Sequence, residues 1–180
     1  MQEPLVLGVA GWSGAGKTTL LKKLLPVLVA RGLRVATLKH AHHEFDVDVP
    51  GKDSWVHRQS GASEVIVASS RRWVQMHELG DAPEPPLVEL LGRFSPCNLV
   101  LVEGFKRERH PKLEVHRPAL GKPVLFPVDP FIRAIACDAA LDGPHPPLVD
   151  LNDAEAVVTA VLAHAEPLRE VCARLRAGAP

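Results

Sequence analysis

Several features that would assign this chain to a familiar class are missing from its 180 residues. Lysine plus arginine and aspartate plus glutamate each number 21, so the formal net charge is zero and no long basic stripe indicates binding to nucleic acid or a membrane surface. No apolar run approaches the ~18 residues of a membrane span, and the opening residues lack the basic region of a signal peptide. The three cysteines form no C-x-x-C pair, which favours reduced thiols. We therefore expect a soluble, cytoplasmic protein.

The strongest motif that is present lies near the amino terminus. Residues 11–18 have the sequence Gly-Trp-Ser-Gly-Ala-Gly-Lys-Thr, which fits the phosphate-binding pattern G-x-x-x-x-G-K-[ST], also called Walker A. A short apolar run, 5–10, precedes the motif, and leucines at helical spacing follow it. Strand, glycine loop and helix is the order that this motif requires, so we predict a nucleoside triphosphate site.

The residue types of the loop match the chemistry of a bound triphosphate. Gly14 and Gly16 allow successive backbone N–H groups to point into one anion-binding concavity at the start of the helix. Lys17 is expected to contact the β- and γ-phosphates, and the Thr18 hydroxyl to ligate Mg²⁺. A dinucleotide-binding fingerprint is excluded because Thr19 and Lys39 occupy positions where it needs a small residue and an acid.

A second signal is the segment 98–104, Asn-Leu-Val-Leu-Val-Glu-Gly. Four apolar residues that end in a carboxylate are typical of a buried strand that delivers an acid to the ligand-binding edge of a sheet. There Glu103 would hold Mg²⁺ through water or polarise the attacking water. We predict catalytic roles for Glu103 and Lys17.

The patterns together predict one domain over residues 1–180 with an α/β fold. The class is a P-loop NTPase with a mostly parallel sheet, helices on both faces in three layers, and an antiparallel hairpin extension. Helices are expected at 17–31, bent at Pro26, at 53–60 and 87–93, and in a last helix that begins near Asn152. Strands are expected at 34–39, 65–68, 72–77, 98–104, 113–115, 124–126 and 134–137.

With these two signals in place, the chain resembles a known family. The segment that carries the resemblance runs from Thr37 to Ser54 and includes His42-His43, Asp46, Asp48 and Pro50-Gly51-Lys52-Asp53-Ser54. The loop from Gly11, the segments 57–62, 67–69 and 101–106, and Leu151-Asn152-Asp153 agree with the same family. The sequence is similar to the molybdopterin-guanine dinucleotide biosynthesis protein B family, MobB.

The resemblance implies a GTP-binding accessory protein of molybdenum cofactor biosynthesis with weak intrinsic GTPase activity. It would assist a nucleotidyltransferase partner, MobA, that converts molybdopterin to molybdopterin guanine dinucleotide, and it would form a homodimer. The implied cofactors are GTP and Mg²⁺. Guanine preference follows from the resemblance alone, because the chain contains no N-K-x-D motif. The implied nucleotide-binding residues are Ser13, Gly14, Ala15, Gly16, Lys17, Thr18 and Thr19, and the implied metal ligands are Thr18, Glu103 and Asp48.

The segment 40–53 lacks either hydrophobic period and is predicted to be a surface loop that responds to nucleotide or cofactor. Its candidate residues are His40, His42, His43, Lys52 and Asp53. Two other functions stay open at this point. A small-molecule kinase is one, because similar glycine loops open nucleoside kinases; a metal-delivery GTPase that uses the three histidines is the other.

Overall fold

The computed structural model describes residues 3–41 and 45–178, which form two compact units. The first unit comprises Met1–His40 and Leu87–Pro180, and the second comprises Ala41–Pro86. His42, His43 and Glu44 lie outside the described residues.

A mostly parallel sheet forms the centre of the first unit. Its strands are β1 (Leu5–Ala10), β2 (Val35–Lys39), β5 (Leu99–Glu103), β6 (Lys112–His116), β7 (Ile132–Cys137), β8 (Leu148–Asp150) and the short β9 (Glu166–Pro167). The order is β2-β5-β1-β6-β7-β8 with all neighbours parallel, and β9 pairs antiparallel with the first residues of β1. Because β1 lies between β5 and β6, the residues that follow all three strands share one edge of the sheet.

Helices cover both faces of this sheet, which confirms the predicted three-layer α/β class. On one face α1 (Lys17–Ala30) and α4 (Ala154–His164) bury apolar residues such as Leu24, Leu28 and Val158 against Leu7 and Leu101. On the other face α3 (Leu87–Leu91) and α5 (Leu168–Ala177) pack on Val6, Val100 and Val102.

The second unit contains α2 (Asp53–Gln59) and an antiparallel hairpin of β3 (Glu64–Ala68) and β4 (Trp73–His77). The hairpin register runs from Glu64 opposite His77 to Ala68 opposite Trp73. The predicted antiparallel extension is therefore confirmed, with bounds within one residue of those expected.

Two predicted elements differ in the structure. The strand expected at 124–126 is wrong: this segment forms a turn, because the backbone N–H groups of Leu125 and Phe126 donate to the buried Glu114 carboxylate and not to a neighbouring strand. The helix expected to begin near Asn152 is not the last one, since α5 follows it. Its N-cap is Asp153, whose carboxylate accepts from the Ala156 N–H at 3.0 Å.

Among the helices that the structure describes, none combines the length and apolar character needed to cross a bilayer. The three cysteines, Cys97, Cys137 and Cys172, are free thiols.

Candidate functional site

Glycines set the path of the loop between β1 and α1. Gly11, Gly14 and Gly16 all have positive φ values, of 147°, 82° and 96°. At Gly11 the constraint is also steric, because a Cβ would lie 2.5 Å from the Val115 carbonyl oxygen of β6. A side chain at Gly11 would therefore force β1 and β6 apart at the edge where the loop begins.

The start of α1 carries no internal anion. Gly16 is the N-cap, no side chain accepts a hydrogen bond from the first turn, and no acidic residue lies in that turn. The first N–H groups of a helix have no partner within the helix, and the helix dipole makes this end partly positive. In a helix of 14 residues that follows a glycine loop, this arrangement suits a bound phosphate group.

Lys17 folds back over its own loop. Its ammonium group donates to the carbonyl oxygens of Gly11 and Trp12, each at 3.0 Å. Partial burial lowers the pKa of Lys17; Glu103 acts in the opposite direction, and the nearby charges of Lys106 and Lys39 lower the pKa further. Lys39 and Lys106 thus add positive charge near the half-buried Lys17, as a site for a polyanion requires.

Thr18 and Glu103 meet at the same edge. The Thr18 hydroxyl donates to Glu103 Oε1 at 2.8 Å, although the two residues are 85 positions apart in the sequence. The pairing of β1 with β5 places Val9 beside Glu103, so the acid ends its strand next to the start of the loop. Glu103 is 8% exposed. A hydroxyl and a buried carboxylate in contact are two hard oxygen donors of the kind that Mg²⁺ binds.

The residue after this acid is also sterically constrained. Gly104 has φ 101°, and a Cβ there would lie 2.7 Å from His40 Cβ. Phe105, at φ 48°, has its ring stacked on the His40 ring with the centroids 4.5 Å apart. The His40 N–H donates to the Glu103 carbonyl at 2.8 Å, which extends the β2–β5 pairing past the last strand residue. His40 is thus held against the Glu103-Gly104-Phe105 corner.

The other residues predicted from sequence are distributed as follows. Ser13, Gly14 and Ala15 form the loop, with Ser13 and Gly14 exposed and Ala15 buried, and Thr19 is exposed in the first turn of α1. Lys52 and Asp53 lie in the second unit, at the N-cap and first residue of α2. His42 and His43, which were also predicted, lie outside the described residues.

Asp48 belongs to a local network of the second unit. Its Oδ1 accepts from the Ser54 hydroxyl at 2.8 Å and from the Val49 N–H at 3.0 Å, and its Oδ2 lies 3.7 Å from Arg58. The same Arg58 donates to both oxygens of Asp46, at 2.7 and 3.1 Å. That hydrogen bonding lowers the pKa of Asp46 to about 2.

Across residues 3–41 and 45–178, no three His, Cys, Asp or Glu side chains group closely enough to hold a metal ion by themselves. A site for Mg²⁺ bound with a nucleotide does not need such a group, because Mg²⁺ uses one or two protein oxygens together with phosphates and water.

Four further side chains surround the loop, and sequence reasoning missed two of them, Arg117 and Asp138. Trp12 Nε1 donates to the Pro123 carbonyl at 2.7 Å, and Lys106 Nζ lies 5.3 Å from the Trp12 ring centroid. Arg117 Nε donates to the Ala15 carbonyl at 3.2 Å, and the same guanidinium pairs with Asp138. Arg117 and Asp138 directly follow β6 and β7, and that position after a parallel strand was the available signal.

Comparisons with known proteins agree with this arrangement. The family described as "MobB: Molybdopterin guanine dinucleotide synthesis protein B" matches residues 6–138. The "molybdopterin-guanine dinucleotide biosynthesis adapter protein" of Escherichia coli (strain K12) is 45% identical over 160 residues, which cover 87% of this chain and 91% of that protein. The protein of the same name from Haemophilus influenzae is 45% identical over 144 residues, 78% of each chain.

A solved structure is also similar. The crystal structure of the MobB protein homologue from Bacillus stearothermophilus superposes with a TM-score of 0.62 at 28% identity, and the match covers 94% of this chain and 99% of that one. The glycine loop, the acid at the end of β5 and these similarities point the same way. The chain belongs to the MobB family.

Proposed function

We propose that this chain binds GTP with Mg²⁺ at residues 13–19 and acts as a nucleotide-controlled adapter in the formation of molybdopterin guanine dinucleotide. The observation that carries the proposal is the contact of Thr18 with Glu103 beside a helix start that has no acid or cap of its own. The names of the two curated relatives at 45% identity, both biosynthesis adapter proteins, support the second half of the proposal.

In this proposal, N–H groups and Lys17 contact the phosphates, whereas the oxygens of Thr18 and Glu103 contact Mg²⁺ and water. The N–H groups of the loop and of the first turn of α1 hold the phosphates, and Lys17 exchanges its bonds to the Gly11 and Trp12 carbonyls for β- and γ-phosphate oxygens. Thr18 and Glu103 are the residues that would hold Mg²⁺, which supplies charge neutralisation on the phosphates when bound. The Glu103 carboxylate also accepts a hydrogen bond from the attacking water, which makes it the candidate catalytic group for a slow intrinsic hydrolysis.

The test of nucleotide binding is Lys17→Ala. Removing the ammonium should abolish GTP binding, while the glycines keep the loop conformation. The measurement is a GTP titration by calorimetry, with Lys22→Ala, an exposed lysine of the same helix, as the matched control. Binding by Lys17→Ala within about threefold of wild type, a difference of only ~0.65 kcal/mol, would contradict the assignment.

The adapter role is tested by reconstitution. A MobA-like nucleotidyltransferase supplied with molybdopterin and GTP should form more molybdopterin guanine dinucleotide when this chain is added, and Lys17→Ala should remove the increase. Transfer of phosphate from the triphosphate to an added nucleoside would instead identify the chain as a small-molecule kinase.

We also propose that the protein is a homodimer. Apolar side chains of the second unit are exposed, among them Ile66 at 63% and Trp73 at 66%, and covering such a patch favours association. Light scattering at micromolar concentration should give about twice the 19.5 kDa chain mass. A monomer over the whole concentration range would rule the dimer out.

Residues 40–53 are the proposed switch segment. Asp48 is an acid held in a local hydrogen-bonded network, and a nucleotide-dependent change in its partners would alter the conformation of this segment. Hydrogen exchange of this segment should slow when GTP and Mg²⁺ are added, and Asp48→Ala should weaken the effect while GTP still binds. Equal exchange in the free, GDP and GTP forms would show that the segment is no switch.

A further inference from the structure

The chain contains no N-K-x-D motif for guanine recognition, but the structure places another carboxylate, that of Asp138, near the phosphate loop. Arg117 and Asp138 stand directly after β6 and β7, and the register that pairs His116 with Cys137 makes the two residues neighbours at the carboxyl edge of the sheet. This is the edge on which β1 continues into the phosphate loop, and open α/β sheets bind their ligands there.

Arg117 joins the phosphate loop to Asp138. Its Nε donates to the Ala15 carbonyl at 3.2 Å, and its Nη1 bonds to Asp138 Oδ2. The guanidinium also lies against Gly16, where a Cβ would come within 3.5 Å of Arg117 Nε. The planar guanidinium of Arg117 therefore holds the Asp138 carboxylate close to the phosphate loop.

The Asp138 carboxylate remains available to a ligand. Only Oδ2 has a hydrogen-bond partner within the described part of the chain, and the side chain is 25% exposed. The residues that follow, Ala139 and Ala140, are exposed and small. The cation between the acid and the loop also matters electrostatically, because an unpaired carboxylate at this distance would repel a triphosphate.

We infer that Asp138, positioned by Arg117, is the carboxylate that selects guanine among the purine bases. The inference rests on the proposed function, because it names the specificity determinant of the same nucleotide site. An ionised carboxylate only accepts hydrogen bonds. Guanine presents two adjacent donors, N1–H and the exocyclic amine at C2, so one carboxylate pairs with both. Adenine presents an acceptor at N1, which a carboxylate repels.

Asp138→Asn tests this assignment by changing the preferred base. Xanthine keeps N1–H but has a carbonyl at C2, so an amide side chain that accepts at one atom and donates at the other matches it. We expect GTP affinity to fall by at least about tenfold, XTP affinity to rise by at least about tenfold, and ATP affinity to stay within about threefold. Asp142→Asn, an exposed aspartate, is the matched control.

A purely structural Asp138 would behave differently. If the residue only braced Arg117 against the loop, Asp138→Asn would weaken GTP, ATP and XTP by the same factor, and that result would overturn the inference. The wild-type protein supplies a second measurement that needs no variant. ITP lacks the C2 amine, so GTP should bind at least about tenfold more tightly than ITP; equal affinities would overturn the inference as well. Loss of the proposed function is distinguishable, since wild-type protein would then bind none of these triphosphates.

Discussion

The two strands on either side of β1 are equally buried but chemically different. All five residues of β5 are buried, and four of them are apolar, with Glu103 at the end. All five residues of β6 are also buried, yet Lys112, Glu114 and His116 alternate with Leu113 and Val115. Burial alone therefore does not determine which side chains a central strand of this sheet carries.

What covers each strand explains the difference. Both faces of β5 pack against helices, whose backbone groups are satisfied internally. Lys112 and Glu114 of β6 bond to the two connections that flank the strand, 104–111 and 117–131. Lys112 Nζ donates to the Glu108 carbonyl at 2.6 Å and to Asp129 at 2.9 Å, and Glu114 accepts from Leu125 and Phe126. The β6 side chains thus pair with polar groups of residues that lie in no helix or strand.

The largest expected loss of stability comes from replacing the buried acid of β6, and a volume-conserving substitution in β5 serves as the comparison. Glu114→Leu leaves the Leu125 and Phe126 N–H groups without an acceptor, so we expect the free energy of unfolding to fall by about 2–4 kcal/mol. Leu101→Met in β5 leaves no polar group unpaired and should cost less than about 1.5 kcal/mol. Urea denaturation of both variants provides the measurement. Equal losses would show that the two strands follow the same rule.

His110 should make the free energy of unfolding depend on pH. The ring is fully buried against Gly8, and neither ring nitrogen makes a hydrogen bond of normal geometry with the described residues. Burial, together with the charge of Lys112, lowers the pKa of His110 from 6.5 to about 3. Between these values the unfolded chain takes up a proton that the folded chain does not, so stability falls as pH falls through this window.

The expected loss from this residue is about 2 kcal/mol between pH 7.5 and pH 5. His110→Leu should remove that part of the pH dependence, whereas His145→Leu, at an exposed histidine, should keep it. Thermal unfolding at the two pH values measures the difference. Parallel pH profiles of wild type and His110→Leu would mean that His110 does not titrate as its surroundings indicate.

The smallest expected effect on stability concerns the acid at the end of β5. Glu103→Gln keeps an acceptor for the Thr18 hydroxyl, so we expect a loss below about 1 kcal/mol. Mg²⁺-dependent GTP hydrolysis should fall by at least about tenfold while GTP binding changes less. Single-turnover hydrolysis and calorimetric titration separate the two quantities. Proportional losses of binding and turnover would assign Glu103 to the structure of the site alone.

The same contrast shows what the sequence could predict. β1, α1 and β5 were predictable because their apolar residues follow one period and their neighbours are regular elements. The contact of Thr18 with Glu103 followed from two local motifs and the rule that parallel strands end at a common edge.

Other parts of the molecule depend on distant partners. Residues 124–126 carry a strand-like pattern, but the Glu114 carboxylate, 11 and 12 residues upstream, accepts the N–H groups of Leu125 and Phe126. α5 was missed although its apolar residues Val171, Cys172 and Leu175 line one face, since this short stripe is flanked by charged residues on both sides. The contact of Arg117 with Ala15 spans 102 residues, and its one sequence signal is the position of Arg117 directly after β6.

The contacts of Trp12 give the protein a built-in optical reporter. The other two tryptophans, Trp55 and Trp73, belong to the second unit, so Trp12 alone reports on the first. Its indole N–H bonds to the Pro123 carbonyl and its ring lies beneath the Lys106 ammonium, so its emission responds to both connections that border the phosphate loop. With Trp55 and Trp73 replaced by phenylalanine, we expect the remaining emission to change when a nucleotide alters either contact of Trp12, which would allow binding to be followed without a label.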